Sequence, residues 1–330
     1  MGLASVRTVY EWLINLLILL ASLAVLSKSS ELTITNSVRV ADITGLGKTI
    51  VGFILVAFST SLPELLVSIF SAIHPESIGV AIGNVLGSNI VDICLILGIC
   101  FSFFASRRTQ KIVPIVAKEE MGSLYFGLFI ASMVPLALLY VGYGSQLIGA
   151  VLITAFVAYL LQISKTRNIR EEECVSQERL NLRKYVFMTF IGAAGVVVSS
   201  YFIVNSASFI AENIGVPRVV IGATVVAFGT SIPELATSIE ATRKNHLNVA
   251  LGNIVGSCFI NITLILGVTL VASPLNVNMT AFANLAMFSL MSNLLLWYFL
   301  SNEKTGRKEG AVLLFMYFLF LAISLGTYRA

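Results

Sequence analysis

The sequence predicts an all-α polytopic membrane protein: ten transmembrane helices arranged as two inverted five-helix repeats, with both termini extracellular. Three observations predict this fold class: an apolar composition, apolar runs of membrane-spanning length, and a long internal repeat. Hydrophobic residues make up 57% of the 330 residues and charged residues 12%, whereas soluble domains carry about 25% charged residues. Helices and closed barrels satisfy their backbone in lipid, and these runs are too long for barrel strands.

Ten apolar runs are long enough to cross roughly 30 Å of hydrocarbon as helices of about 20 residues. The first run is preceded by one Arg and one Glu rather than by a basic cluster, so we interpret it as a span and not as a signal peptide. In chain order, the predicted spans are residues 10–27, 44–72, 78–101, 121–141, 144–163, 185–211, 217–242, 247–271, 278–300 and 310–327.

Basic residues are distributed unequally between the loops that alternate across the membrane. Of the 21 Lys and Arg residues, Arg7, Arg218 and Arg329 fall on one side and the remaining 18 fall on the other. The positive-inside rule makes the richer side cytoplasmic. The sequence therefore predicts a multi-pass plasma-membrane protein with both termini outside and a charged cytoplasmic linker at residues 164–184.

An internal repeat divides the chain into a first half, residues 1–163, and a second half, residues 185–330. The first copy, residues 52–98, contains AFSTSLPE and GNVLGSNIVD, and the second copy, residues 222–267, contains AFGTSIPE and GNIVGSCFIN. The offset between copies is 170 residues at the glutamates and 169 after a one-residue shift in the connecting loop. Because the two copies are offset by five predicted spans, an odd number, they enter the membrane from opposite sides, as in many secondary transporters.

Each copy places a glutamate, Glu64 or Glu234, inside an apolar run. A carboxylate at the bilayer centre costs about 2.5–3.5 kcal/mol or more, so two at matching positions indicate a shared function. The proline before each glutamate removes a helical hydrogen bond, which predicts a kink near residues 57–60 and free carbonyl oxygens in mid-membrane. The oxygens expected beside the glutamates come from Ala57, Thr60 and Ser61 and from Ala227, Thr230 and Ser231.

The later part of each copy adds a serine and, four residues on, an acid or an amide: Ser88 with Asp92, and Ser257 with Asn261. Residues four apart share a helical face. The set contains oxygen ligands alone, which hard cations such as Ca²⁺ and Na⁺ prefer, and no histidine lies in a predicted span, which disfavours zinc and copper. A helix–helix hydrogen bond remains an alternative role for Asn261.

Glycines four residues apart also recur in both copies, and we interpret them as packing positions. Gly83 and Gly87 in the first copy correspond to Gly252 and Gly256 in the second. Small residues at this spacing let membrane helices approach closely.

At these residues the chain resembles the sodium/calcium exchangers of the cation/calcium antiporter superfamily, of the prokaryotic type without a large regulatory domain. The second copy keeps the pattern GTSxPE, and the first has Ser59 where Gly is usual. The resemblance implies ten helices, electrogenic exchange of Na⁺ for Ca²⁺ by alternating access, and no cofactor. The implied partners are the two ions and the bilayer, not nucleic acid, with a monomer as the expectation.

The resemblance also implies roles for individual residues. Glu64 and Glu234 resemble the paired Ca²⁺ ligands of the family. The residues that resemble ligands of flanking Na⁺ sites are Thr60, Ser61, Ser88, Thr230, Ser231 and Ser257, with the carbonyls of Ala57 and Ala227.

One departure from the family pattern concerns the acid and the amide. Relatives with such a pair usually carry Asn in the first copy and Asp in the second, whereas this chain carries Asp92 first and Asn261 second. The number of acids is unchanged, but the counter-ion is left open between Na⁺ and H⁺. Potassium-dependent relatives tend to have acids at both positions, so K⁺ co-transport is disfavoured.

Three other functions are compatible with parts of the sequence. A Ca²⁺/H⁺ exchanger would use the same glutamates as proton carriers. A cation channel is disfavoured by the inverted repeat with its kinked central site. An intramembrane enzyme with Ser61 or Ser231 as nucleophile is disfavoured because no His or Lys is expected inside the membrane to act as a base, so no enzymatic activity is expected.

Overall fold

A computed structural model describes residues 2–44, 60–74, 77–104, 118–166, 182–243, 247–274, 279–302 and 305–326. The described residues are helical apart from short connections. The first helices are α1 (Gly2–Thr44), α2 (Leu62–Ile73), α3 (Ile78–Ile90, with the π-helical continuation Val91–Leu97), α4 (Lys118–Val141) and α5 (Gln146–Thr166). They are followed by α6 (Leu182–Ile214), α7 (Arg218–Thr230), α8 (Ile232–Arg243), α9 (Leu247–Ile260, continued by Asn261–Ile265 and Leu266–Ala272), α10 (Met279–Ser301) and α11 (Arg307–Gly326).

The helices confirm a polytopic membrane protein. Seven described segments are long and apolar enough to cross a membrane, and the bent pair α7 and α8 forms an eighth if it is one span. Two shorter apolar helices, Leu62–Ile73 and Gln146–Leu161, lie within two further predicted spans. The number ten and the sides of the termini stay predictions.

The first helix differs from its prediction. The sequence predicts a span at residues 10–27 followed by a loop, whereas α1 continues as one helix from Gly2 to Thr44. Its membrane-spanning part is Glu11–Ser29, and the rest extends beyond it. The helix α1 packs along α6, which is similarly long. Near its end, Arg39 donates a hydrogen bond of 2.9 Å to the hydroxyl of Tyr185 and stacks over that ring. Tertiary packing therefore extends a helix whose local sequence is polar.

The outer surface of the described residues is apolar, and the interior contains a group of buried polar side chains among the apolar ones. The spanning windows of α3 and α9 are 83% buried, whereas those of α1, α4, α6 and α11 are between 22% and 39% buried. The outer helices expose large apolar side chains such as Leu17, Phe190 and Phe315. A surface of this kind is stable against lipid, and the polar side chains in the middle are shielded from it.

The two copies of the repeat meet where α3 of the first copy crosses α7 of the second. A Cβ atom at Gly83 would overlap the carbonyl of Val219, and one at Gly87 would overlap the backbone of Ala223. From the other side, a Cβ at Gly222 would overlap the backbone of Val80. The two helices therefore touch backbone to backbone, as the glycine spacing in the first copy predicts.

The second copy does not repeat this contact within the described residues. A Cβ at Gly252, the counterpart of Gly83, would meet no atom within 4 Å. By the repeat offset, the segment expected to face it is residues 49–53, which lies outside the described residues.

We expect Gly83→Ala to destabilise the protein, because the added methyl has no space against the α7 backbone. Overpacking a tight contact typically costs about 1–3 kcal/mol. The measurement is the thermal midpoint in detergent, followed by size-exclusion chromatography with fluorescence detection. Gly122→Ala is the matched control and should leave the midpoint unchanged or slightly higher, because Gly122 is exposed on α4 and an added Cβ would meet no described atom within 4 Å. Equal midpoints for the two variants would contradict the backbone contact at Gly83.

Candidate cation-binding site

Each copy of the repeat breaks its helix at the serine two residues before the proline. Ser61 precedes α2 with φ −83° and ψ 6°, and Ser231 separates α7 from α8 with φ −82° and ψ 8°. The axes of α7 and α8 differ by 44°. The predicted kink is therefore present in the second copy, and the described residues of the first copy show the same backbone geometry at Ser61. Residues 57–59, where the kink was expected to begin, lie outside the described residues.

The breaks place both glutamates in the first turn of a new helix. Glu64 is the third residue of α2 and Glu234 the third residue of α8. The positive end of a helix dipole favours a negative charge at this position. Breaking the helix thus supplies a local stabilisation for a carboxylate that lipid would disfavour.

The backbone carbonyls at the break are partly used within the helix. The carbonyl of Ala227 accepts hydrogen bonds from the Ser231 amide at 3.0 Å and from the Thr230 hydroxyl at 3.2 Å. Pro233 has no amide proton, so it leaves the carbonyl of Gly229 without its helical donor. The role of Ala227 as a ligand stays a prediction, and Ala57 lies outside the described residues.

The side chains predicted as ligands are buried together in the middle of the protein. None of them is more than 1% exposed: Thr60, Ser61, Glu64, Ser88, Asp92, Thr230, Ser231, Glu234, Ser257 and Asn261. Contacts between the copies join them, with Ser61 Oγ 3.2 Å from Ser257 Oγ and Ser231 Oγ donating to Glu64 Oε1 at 3.4 Å. Asp92 interacts electrostatically with Glu64, and Glu234 interacts with both.

Many oxygens in this cluster have no hydrogen-bond donor among the residues that the structure describes. The atoms concerned are Glu64 Oε2, both carboxylate oxygens of Asp92 and of Glu234, Ser88 Oγ and Asn261 Oδ1. Buried polar atoms without partners are rare because each costs free energy, and unpaired buried charges cost more. An oxygen-lined cluster of this kind is chemically suited to a cation with a hard-ligand preference.

Among the described residues, no three His, Cys, Asp or Glu side chains converge closely enough to hold a metal ion by themselves. The carboxylates instead alternate with hydroxyl and amide groups contributed by both copies. A site of mixed, partly neutral oxygens is compatible with reversible binding.

Asp92 and Asn261 both lie in π-helical segments, a feature that the sequence analysis did not predict. Asp92 is the second residue of Val91–Leu97, and Asn261 is the first residue of Asn261–Ile265. A π-helical turn is rare and is often found at functional sites. Nothing in the residue spacing identifies these turns.

Two further asparagines, Asn84 and Asn253, lie next to the cluster, and the sequence analysis assigned them no role. Asn84 donates to Ser68 Oγ at 3.5 Å, and its counterpart Asn253 donates to Ser238 Oγ at 3.2 Å. Each bond ties the glutamate-bearing helix to the following helix of the same copy. The signal was available, since all four residues recur at the repeat offset.

Contacts between the copies, in contrast, are not symmetric. Thr230 Oγ1 donates to Asn84 Oδ1 at 3.0 Å, and Ser61 and Ser257 are hydrogen-bonded. At the mirror positions, Asn253 Oδ1 and Ser88 Oγ have no hydrogen-bond partner among the described residues. The serines beside the glutamates follow the same rule: Ser231 donates to Glu64 Oε1, whereas the described residues do not form the mirror bond from Ser61 to Glu234. One of two possible sets of cross-repeat hydrogen bonds is therefore formed.

Comparison with known proteins gives consistent matches over most of the chain. A family model described as sodium/calcium exchanger protein matches residues 14–164 and 184–326. The sodium/calcium exchanger MaX1 of Methanosarcina acetivorans is 30% identical over 94% of this chain and 98% of its own length. The inner membrane protein YrbG of Escherichia coli is 30% identical, over 84% of this chain and 87% of its own.

Solved structures agree with these matches. The sodium–calcium exchanger NCX_Mj, in crystals soaked with Na⁺ and Sr²⁺, is 29% identical and superposes with a TM-score of 0.64. The superposition covers 94% of this chain and 98% of NCX_Mj. The regions outside the family match include residues 165–183, the centre of the predicted linker.

We predict that Ca²⁺ stabilises the protein through the unpartnered carboxylate oxygens. A ligand present at a hundredfold excess over its dissociation constant stabilises the folded state by about 2.7 kcal/mol. We therefore expect the thermal midpoint in detergent to rise with added Ca²⁺, and Glu234→Gln to abolish most of the rise. Glu31→Gln is the control, because Glu31 has a side chain that is 72% exposed and pairs with Lys28. An undiminished Ca²⁺ response in Glu234→Gln would exclude Glu234 as a ligand.

Proposed function

Because the chain belongs to the sodium/calcium exchanger family, whose members are transporters rather than enzymes, we propose that it exchanges Ca²⁺ for Na⁺ across the plasma membrane by alternating access. Cation/Ca²⁺ antiport follows from the family. Na⁺ as the counter-ion, electrogenic exchange and the ligand roles of individual residues are the specific parts of the proposal.

The observation that carries the proposal is the cluster of three fully buried carboxylates with five unpartnered oxygens. When ionised, Glu64, Glu234 and Asp92 together carry a charge of about −3, and either one Ca²⁺ or several Na⁺ would offset most of it. An unoccupied charged site is costly in a low-dielectric interior, and a cation of either kind reduces that cost. Coupling follows, because the loaded site crosses more easily than the empty one.

The neutral ligands favour Na⁺ over H⁺ as the counter-ion. A proton needs a carboxylate alone, whereas Na⁺ needs several oxygens around it. We propose that Glu64 and Glu234 bind Ca²⁺, with Asp92 and Asn261 beside them. The Na⁺ ligands that we propose are Thr60, Ser61, Ser88, Thr230, Ser231 and Ser257, with the carbonyls of Ala57 and Ala227.

The topology that we propose places this site between two inverted halves. Residues 1–163 and 185–330 each contribute five spans, with residues 164–184 in the cytoplasm and both termini outside. The unequal distribution of Lys and Arg supports this orientation. The contact between α3 and α7 supports a single chain in which each half completes the other, so we propose that a monomer suffices for transport.

Alternating access is supported by the one-sided set of cross-repeat hydrogen bonds. Thr230 contacts Asn84, while the mirror acceptor Asn253 Oδ1 has no partner. In a transporter built from inverted repeats, exchanging the conformations of the halves produces the opposite access state. We propose that transport exchanges the formed set of bonds for its mirror set.

The test of the function is ⁴⁵Ca²⁺ uptake into proteoliposomes with an outward gradient of Na⁺, K⁺ or H⁺ in parallel. We expect uptake with the Na⁺ gradient alone, and its loss in Glu64→Gln, because that variant removes one of the three charges. Stimulation of uptake by an imposed membrane potential would demonstrate electrogenic exchange.

Each other outcome has a defined meaning. Uptake that depends on the H⁺ gradient and not on Na⁺ would show that the counter-ion is H⁺. Uptake at the same rate with no counter-cation on either side would overturn coupled exchange altogether. Uptake by Glu64→Gln at the wild-type rate would show that Ca²⁺ transport does not use the carboxylate cluster.

Alternating access is tested by Asn84→Ala and Asn253→Ala, which serve as controls for each other. Each variant removes a bond from one of the two mirror sets, and a hydrogen bond contributes about 0.5–1.5 kcal/mol. We expect the ratio of the Ca²⁺ KM values on the two membrane faces to change several-fold, in opposite directions for the two variants. The measurement compares transport in right-side-out and inside-out vesicles. Changes in the same direction would contradict the mirrored exchange.

A further inference from the structure

Asn89, a residue to which no role has been assigned above, contacts one of the candidate ligands directly. It lies between Ser88 and the π-helical segment that carries Asp92, and its side chain is fully buried. Its Oδ1 accepts a hydrogen bond from Nδ2 of Asn261 at 3.1 Å, across the interface between the two copies. The other polar atom of the Asn261 side chain, Oδ1, has no partner.

This contact occupies the NH₂ end of the Asn261 amide. An amide group has an oxygen acceptor and an NH₂ donor of nearly the same shape, and a half-turn exchanges them. An oxygen toward a cation attracts it, whereas an NH₂ group repels it. Asn89 is also an amide, and its own Nδ2 has no partner among the described residues. With the Asn261 oxygen toward a cation, Asn89 Oδ1 supplies the acceptor that the NH₂ end of Asn261 then needs.

The mirror position has different residues. At the repeat offset of 169, Asn89 corresponds to Cys258, and Asn261 corresponds to Asp92. Cys258 is buried and lies within electrostatic range of Asp92. A carboxylate has an oxygen at each end, so neither orientation exposes a repelling group. An acceptor is therefore present where the ligand is an amide and is absent where the ligand is an acid.

We propose that Asn89 is a positioning residue: it holds the Asn261 amide with its oxygen toward the transported cation. The inference rests on the proposed function, since it assigns Asn261 to the cation site. It also accounts for the exchanged order of acid and amide. The amide, Asn261, contacts the first copy, which has Asn89 at the orienting position. The equivalent position of the second copy is occupied by Cys258.

The first measurement is the half-saturating concentration of Ca²⁺ and of Na⁺ for uptake into proteoliposomes. In Asn89→Ala the amide of Asn261 loses its orienting acceptor, and we expect the value for at least one of the two cations to rise by about 3–10-fold, the range that one hydrogen bond supports. Cys258→Ala is the matched control at the mirror position, and it should change neither value more than about twofold.

A double-mutant cycle separates positioning from packing. In an Asn261→Asp background both terminal atoms of residue 261 are oxygens, so Asn89→Ala should cause no further rise in the half-saturating concentration. A packing role for Asn89 would produce the same rise in both backgrounds. An equal rise in both, or an unchanged value in Asn89→Ala alone, overturns the proposal.

Two measures keep the test decisive. If Asn89→Ala does not fold, Asn89→Leu retains the side-chain volume without an acceptor, and the same cycle is run with it. The wild-type protein in the same assay tests the proposed function separately. Should wild-type uptake prove to be driven by H⁺, the Ca²⁺ values of the cycle would still decide the role of Asn89.

Discussion

The cost of keeping three carboxylates inside the membrane is the constraint on which the rest of this structure depends. Glu64, Asp92 and Glu234 are at most 1% exposed, and five of their six oxygens receive no hydrogen bond from the part of the chain that the structure describes. Local structure lowers the free-energy cost of burying the glutamates, because each lies in the first turn of a helix, where the helix dipole favours a negative charge. Packing does the remainder, because α3 and α9 are enclosed by outer helices whose lipid-facing side chains are apolar. The helix breaks at the glutamates and the enclosure of α3 and α9 both reduce the free-energy cost of these three buried carboxylates.

Both copies of the motif contribute side chains to the carboxylate cluster, and the contacts within a copy differ in symmetry from those between copies. Gly83 and Gly87 allow α3 to touch α7 without intervening side chains, which brings hydroxyl groups of one copy to the glutamate of the other. Bonds within a copy, such as those of Asn84 and Asn253 to their serines, are symmetric. Bonds between copies are not. The described residues form one set of cross-repeat bonds and leave its mirror set unformed.

The sequence predicted the helical membrane fold, the duplicated motif and the residues that cluster, because charge burial and residue spacing are local signals. It did not predict the continuation of α1 to Thr44, since packing against α6 overrides a polar local sequence. It also did not predict the π-helical turns at Asp92 and Asn261, whose register depends on tertiary contacts. Asn89 escaped notice for a related reason: its partner Asn261 lies 172 residues away, so only the fold reveals the pair.

The repeat places related residues of one chain on the two sides of the α3–α7 crossing, as the two subunits of a dimer would, but within a single covalent chain. In a dimer of identical subunits, every substitution appears in both subunits, so an amide in one copy and an acid at the equivalent position of the other could not coexist. A single chain is free of that restriction. Asn261 beside Asn89, and Asp92 in the copy-related position with Cys258 as the counterpart of Asn89, are a combination that a duplicated chain can carry and identical subunits cannot.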